Sequence, residues 1–310
     1  MIYPKSERKK NMSAIKTLDL SIKKSETGDA KIDKYYEIDG KQYDNYIDND
    51  SWSHFVEEMR VHYPKAYDEY SKGSGDELGI KKVGKYPPKM ASYGSSGRMI
   101  YLLSREIPNF CFEKKLPTSV GGTANMDGYV YSSNTHFYIE AKCREPYSYA
   151  KKTVDRAYEN LYRYINESEL SDFSCIIQPI DDKKMDVRFI SKGIEIRRFD
   201  IKQMLCHLLG IATEKLTNSS NENTVFLYLL YNPNKIEIVA PRYKEQLLAI
   251  YKQELTECES IPFAELYRII LQYLNQTVEG FHKTESEIQK IASSFTFAHC
   301  DQDTYADYFN

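Results

Sequence analysis

Residues 121–142 read GGTANMDGYVYSSNTHFYIEAK. Residues 124–131 and 136–142 are strand-forming runs, and the residues 132–135 between them all favour turns, so a β-hairpin is expected. In the second arm Phe137, Ile139 and Ala141 alternate with Tyr138, Glu140 and Lys142. Period-two geometry then puts Glu140 and Lys142 on one face. A loop centred between Ser133 and Asn134 sets Tyr131 opposite His136, Val130 opposite Phe137 and Tyr129 opposite Tyr138. Continued outward, the register sets Gly128 opposite Ile139 and Asp127 opposite Glu140; a bulge at Gly128 would move it by one.

Directly opposed residues on one face of an antiparallel pair have Cβ atoms about 4.5–5.5 Å apart. Two carboxylates so placed repel each other, and a divalent cation removes the repulsion. Mg²⁺ takes oxygen ligands, typically one or two carboxylates together with water and substrate phosphate. Lys142 would stand beside such an ion and beside the phosphate it binds. The hairpin therefore reads as a metal-assisted phosphodiester site.

Asp127, twelve intervening residues and then Glu140-Ala141-Lys142 resemble the D…(D/E)xK signature of the PD-(D/E)XK, or restriction-endonuclease-like, nuclease superfamily, with Met126 where a proline is usual. The resemblance extends roughly over residues 92–231. It implies an α/β fold with three layers, a mixed central β-sheet flanked by helices. It further implies that Asp127 and Glu140 hold one or two Mg²⁺ ions, with Mn²⁺ as a substitute, and that the Ala141 carbonyl is a third ligand. Lys142 would orient or help deprotonate the attacking water. Many relatives add an acid from the first helix; here only Glu106 stands there, at its end, so Glu113 on the next strand is the candidate. The implied activity is metal-dependent cleavage of duplex DNA of the restriction or defence type, in many relatives by a homodimer. The alternatives are a non-catalytic nuclease-fold protein that binds nucleic acid or a protein partner, and a structure-specific repair or RNA-directed nuclease.

Bulk properties bound these expectations. The chain has 310 residues, 41% hydrophobic and 28% charged, with a net charge of −3, so it is no general polyanion binder. A nucleic-acid surface must be a local basic patch. The candidates are Lys115 on the strand before the hairpin and Lys152, Arg156 and Arg163 on a helix expected over residues 149–165, where the resemblance implies that Tyr158 or Tyr162 steadies the site. Six cysteines are dispersed without a CxxC pair, which argues against zinc and fits a reducing cytoplasm. His207 and His299 each adjoin a cysteine, but helical neighbours point apart, so neither pair reads as a metal site. No apolar run is long enough to cross a membrane, and the first residues lack the apolar core of a secretory signal.

Residues 1–85 read as a charged N-terminal extension, a hairpin at Asp39-Gly40 followed by an amphipathic helix. A linker over residues 70–88 leads to a nuclease-like domain, residues 86–310. That domain begins with a helix capped at Ser95 or Ser96. Further strands are expected over residues 172–180 and 187–190, then a helix capped by Asp200 and a continuously apolar strand over residues 225–231. Two more helices and a weakly patterned tail follow. Helix, three strands, helix and strand across residues 95–180 match the element order of the superfamily core.

Overall fold

The computed structural model describes residues 36–309 apart from 44–45, 74, 82–83, 93, 144–152, 169, 171, 219, 221 and 234–240. Its central sheet is built on the hairpin. Strands β1 (Tyr36–Ile38) and β2 (Lys41–Tyr43) form a small separate ribbon, whereas β3 (Cys111–Pro117), β4 (Thr123–Ser132) and β5 (Thr135–Lys142) form an antiparallel run. The β4–β5 turn has Ser133 at φ 50° and Asn134 at φ 62°. Two consecutive left-handed residues match the twist of the flanking strands. Tyr131 pairs with His136, Val130 with Phe137, Tyr129 with Tyr138 and Gly128 with Ile139, as the turn predicts, but the ladder ends there and the expected pair of Asp127 with Glu140 does not form.

The next strands in sequence do not join this sheet. β6 (Thr153–Asp155), β7 (Phe173–Pro179), β8 (Lys184–Ser191) and β9 (Ile194–Ile196) form a second sheet in which β6, β7 and β9 all pair with β8. The neighbour of β5 is instead β10 (Asn223–Leu230), parallel to it, with β11 (Phe295–Cys300) parallel beyond. The order is β11-β10-β5-β4-β3, a mixed five-stranded sheet. Burial explains the choice. A strand inside a two-sided sheet must be apolar on both faces. β10 is buried on both faces along most of its length, whereas β7 buries Phe173 and Cys175 and exposes Ser174 and Ile176.

Part of the helix expected over residues 149–165 lies outside the described residues. Thr153, Val154 and Asp155 are extended, and α4 (Glu159–Glu167) begins only after a turn in which the Asp155 carboxylate accepts the Ala157 N–H.

Helices cover both faces of the central sheet. On one side lie α5 (Ile201–Asn218), α7 (Phe263–Thr277), α8 (Glu285–Ser293) and the second sheet, packed on Met126, Tyr138, Phe226 and Tyr228. On the other lie α1 (Asn49–His62), α2 (Pro64–Lys72) and α3 (Ser96–Ser104), where Trp52, Met59, Tyr70 and Tyr101 share one core with Phe112, Ile139 and Leu229. The helices before residue 85 thus fill a face of the sheet. Described residues of the segment read as a linker are packed as well: Leu78 is buried, the Met90 N–H bonds the Glu77 carbonyl, and the Asp76 carboxylate accepts the Lys81 N–H.

Two contacts fix α5. A Cβ on Gly210 would come 2.8 Å from Leu116 Cβ and 3.0 Å from Ala124 Cβ, so glycine lets the helix lie close on β3 and β4. At its start, Glu257 of α6 (Pro241–Ser260) accepts the N–H groups of Arg197, Arg198 and Phe199 at 3.0, 2.7 and 2.9 Å. Among the described residues no helix is long and apolar enough to cross a membrane.

Candidate active site

β4 and β5 part between the two carboxylates singled out in the sequence. Their pairing ends at Gly128–Ile139, while β4 continues beside β3 to Thr123 and β5 continues beside β10 to Lys142. The alternation of β4 shifts at the same place, since Ala124 and Met126 pack on the α5 side and Val130 on the α3 side. Next to it Glu113 interrupts β3 at φ 55°, and the β3–β4 ladder passes from Phe112–Gly128 to Lys114–Met126. Left-handed backbone at a non-glycine strand residue is strained and persists only where its surroundings fix it. Those surroundings are specific. Glu69 accepts the Phe112 N–H at 2.8 Å, and a Cβ on Gly73 would lie 2.9 Å from Glu113 Oε2. The ring of Phe110 lies so near β4 that a Cβ on Gly128 would come within 2.3 Å of it.

Into this opening Asp127 extends its Oδ2, which accepts the Ala141 N–H at 2.8 Å. Glu140 and Lys142 face α5, as their shared strand face requires. Lys142 Nζ stands 2.7 Å from Glu140 Oε1 and donates to Gln203 Oε1 at 2.7 Å. His207 Nε2 lies 3.0 Å from Glu140 Oε2. Gln203 and His207 are four apart on α5, hence on one face, and Asp200 caps that helix at the Gln203 N–H. Glu140 is 1% and His207 2% exposed. The imidazole meets Phe226 edge-on, and its Nδ1 is buried with no hydrogen-bond partner among the described residues.

The charges are unequal in comfort. Burial pushes the Glu140 carboxyl up, but the Lys142 ammonium, His207 and their hydrogen bonds together outweigh it and hold the group down at about 2. Asp127 is driven well above the usual carboxylate range by burial and then by the charge of Glu140, against the pull of Lys142 and the Ala141 N–H. Burial and then Glu77 push Glu113 up to about 7, opposed by Lys89 and Lys115. Glu77 comes from the segment between α2 and α3. Its Oε1 is 3.5 Å from Lys89 Nζ, and its Oε2 would be 3.2 Å from a Cβ on Gly97 in the first turn of α3.

The donor chemistry suits a hard divalent cation. Asp127, Glu140 and Glu113 are oxygen donors whose mutual repulsion a 2+ ion would relieve, and Mg²⁺ needs only one or two carboxylates besides water. They do not form a ready cage: among the described residues no three His, Cys, Asp or Glu side chains are grouped to hold a metal ion. Both oxygens of Glu140 are engaged by Lys142 and His207, with which a cation would compete.

The basic residues singled out for phosphate fare differently. Lys115 is exposed and acts on Glu113; Lys152 lies outside the described residues. Arg156 and Arg163 both bind Glu159, at 2.9 and 2.7 Å, so one carboxylate offsets half of that stripe's charge and ties both guanidinium groups to the helix. Tyr162 is buried against Phe189, and Tyr158 approaches Cys206. The group that steadies Lys142 is Gln203. Glu106 accepts a hydrogen bond from Tyr63 instead of joining the cluster. Gln203 and His207 had a signal in the sequence, two polar residues at helical spacing just after the Asp200 cap. Glu77 had none, because its place depends on how two distant segments meet. No protein-family profile, curated protein or solved structure matches the chain.

Proposed function

We propose that this chain is a metal-dependent endodeoxyribonuclease of the PD-(D/E)XK type, acting on duplex DNA in restriction or defence. The observation that carries the proposal is the convergence of Asp127, Glu140 and Lys142 at the point where the hairpin strands part, with Glu113 beside them. The mixed sheet between two helical layers is compatible with that superfamily's three-layer core. Asp127, Glu140, Glu113 and the Ala141 carbonyl would hold Mg²⁺ or Mn²⁺. When bound, the ion supplies a Lewis acid for the phosphate and a water of lowered pKa.

The chain's own groups supply the rest. Lys142, aimed by Gln203 and Glu140, offers positive charge to the scissile phosphate and orients the attacking water. His207 fixes the far oxygen of Glu140, so the carboxylate presents one orientation. Asp127 spans the gap to Ala141 and sets its width. Assembly as a homodimer and a cytoplasmic location belong to the same proposal; the free cysteines, such as Cys143 and Cys206, suit a reducing compartment.

One observation favours the non-catalytic alternative: Glu140 is saturated by Lys142 and His207. Cleavage of plasmid DNA in Mg²⁺, Mn²⁺ or EDTA, comparing the native chain with Glu140→Ala and Lys142→Ala, decides between them. Metal-dependent cutting that both substitutions abolish is the expected result. No cutting of DNA or RNA, with no Mn²⁺ binding by calorimetry, overturns the nuclease reading in favour of the binding protein.

A further inference from the structure

The described residues between α2 and α3, 75–81 and 84–92, belong to an anchored loop whose base adjoins the acid cluster. Leu78 is buried beneath it, and the Glu77 carbonyl is tied to the Met90 N–H at 3.0 Å. Gly79, at φ 69°, lies so close to Pro88 that a Cβ would come within 2.8 Å of its ring. Lys89 reaches Glu77 at 3.5 Å, and its charge is felt by Glu113. The outer part of the loop is different in character. Ile80 and Tyr86 are 45% and 60% exposed, two of only seven large hydrophobic residues so exposed among the described residues. Lys81, Lys85 and Lys89 are all on the surface, but the Lys81 ammonium donates to the Gly73 carbonyl and Lys89 is paired with Glu77, whereas Lys85 Nζ stands 5.7 Å from the centre of the Tyr86 ring.

A cluster of carboxylates repels a polyanion, so a nucleic-acid strand needs cations at the rim to approach it. The chain as a whole, at −3, does not provide them, and Arg156 and Arg163 are committed to Glu159. An exposed aromatic ring beside ammonium groups is the combination that holds a DNA strand, with the ring stacking a base and the lysines meeting phosphates.

We infer that this loop is the DNA-strand contact of the site: Lys85 faces a backbone phosphate near the scissile bond, and Tyr86 beside it stacks on an unpaired or splayed base. The inference rests on the nuclease reading for its substrate.

The test is fluorescence anisotropy of labelled single-stranded and duplex DNA with the full chain in Ca²⁺ or EDTA, across a salt titration. Tyr86→Ala is expected to weaken single-strand binding about tenfold, and Tyr86→Phe to bind like the native chain. Lys85→Ala is expected to reduce the slope of log affinity against log salt by about 0.7. Both residues are exposed, so the fold is retained, which circular dichroism checks. Native affinity and slope in Tyr86→Ala and Lys85→Ala overturn the loop contact, and if Glu140→Ala still abolishes cleavage the nuclease reading survives that failure. Tyr86-dependent binding without metal-dependent cutting leaves the contact standing and removes the nuclease. Absence of any DNA binding by the native chain removes both.

Discussion

Replacing Glu113 with glutamine removes a carboxyl that burial and the neighbouring Glu77 push up from 4.5 to about 7. The folded chain therefore holds this proton more tightly than the unfolded chain does. As pH rises from 4.5 to about 7 the unfolded chain gives up the proton first, so stability falls, and it levels off once the folded carboxyl has also ionised. At about 1.4 kcal/mol per pH unit the whole effect is about 3 kcal/mol. Glu113→Gln keeps the size of the side chain and the left-handed backbone while carrying no charge. The difference in unfolding free energy, variant minus native, should be near zero at about pH 4.5 and reach about 3 kcal/mol near pH 8. Urea unfolding reads this through Trp52, the only tryptophan, which is 6% exposed and stacks on Phe55. Mg²⁺ provides a second arm: above pH 7 it should stabilise the native chain more than the variant. A difference that stays flat across the range refutes the reasoning, because Glu113 would then ionise without penalty in the folded chain.

Three further substitutions probe the frame of the site. His207→Ala leaves Glu140 Oε2 without its 3.0 Å partner in a buried setting and should cost about 1–3 kcal/mol, whereas His207→Gln restores a donor; equal urea midpoints for native and alanine chains would contradict this. Gly128→Ala brings a Cβ within 2.3 Å of the Phe110 ring, and the overpacking should cost about 1–3 kcal/mol. Adding Phe110→Leu should recover part of that loss, and a double-mutant cycle with no coupling would show that the ring is not the obstacle. Glu257→Ala leaves the N–H groups of Arg197, Arg198 and Phe199 without their carboxylate and should lower stability by about 3 kcal/mol or more, seen as a reduced thermal midpoint; an unchanged midpoint would mean that water replaces the carboxylate at no cost.

What the sequence disclosed was local. The β4–β5 register down to Gly128–Ile139 follows from a two-residue turn and strand periodicity, and both are encoded within some twenty residues. β10 announced itself by an apolar run, which only a two-sided strand tolerates. The choice between β7 and β10 as the neighbour of β5 was less accessible, because element order alone permits either and burial on the second face decides. Asp155 hid β6 in a similar way, by starting a turn inside a pattern that otherwise continued as helix. Glu77 and the loop that carries it lay beyond reach, since their position is set by packing of Trp52, Tyr70, Leu78 and Met90 on a face of the sheet formed much later in the chain.

Two independent costs meet at one point of this fold. Glu113 sits in left-handed backbone within a strand, and beside it Asp127 carries a carboxyl that burial and neighbouring charge drive far up. Neither is needed to close the sheet. Glycine would accept the backbone of Glu113 without strain, and asparagine at Asp127 could still accept the Ala141 N–H through its carbonyl oxygen. A scaffold shaped by packing alone would relax both features with single substitutions. Their coincidence at the opening between β4 and β5, where Lys142 and Glu140 also arrive, is the feature on which the proposed cation and phosphate site rests. Without an ion the repulsion is relieved by holding protons on Asp127 and Glu113, whose carboxyls are both pushed up; on the proposed function, a cation would displace those protons.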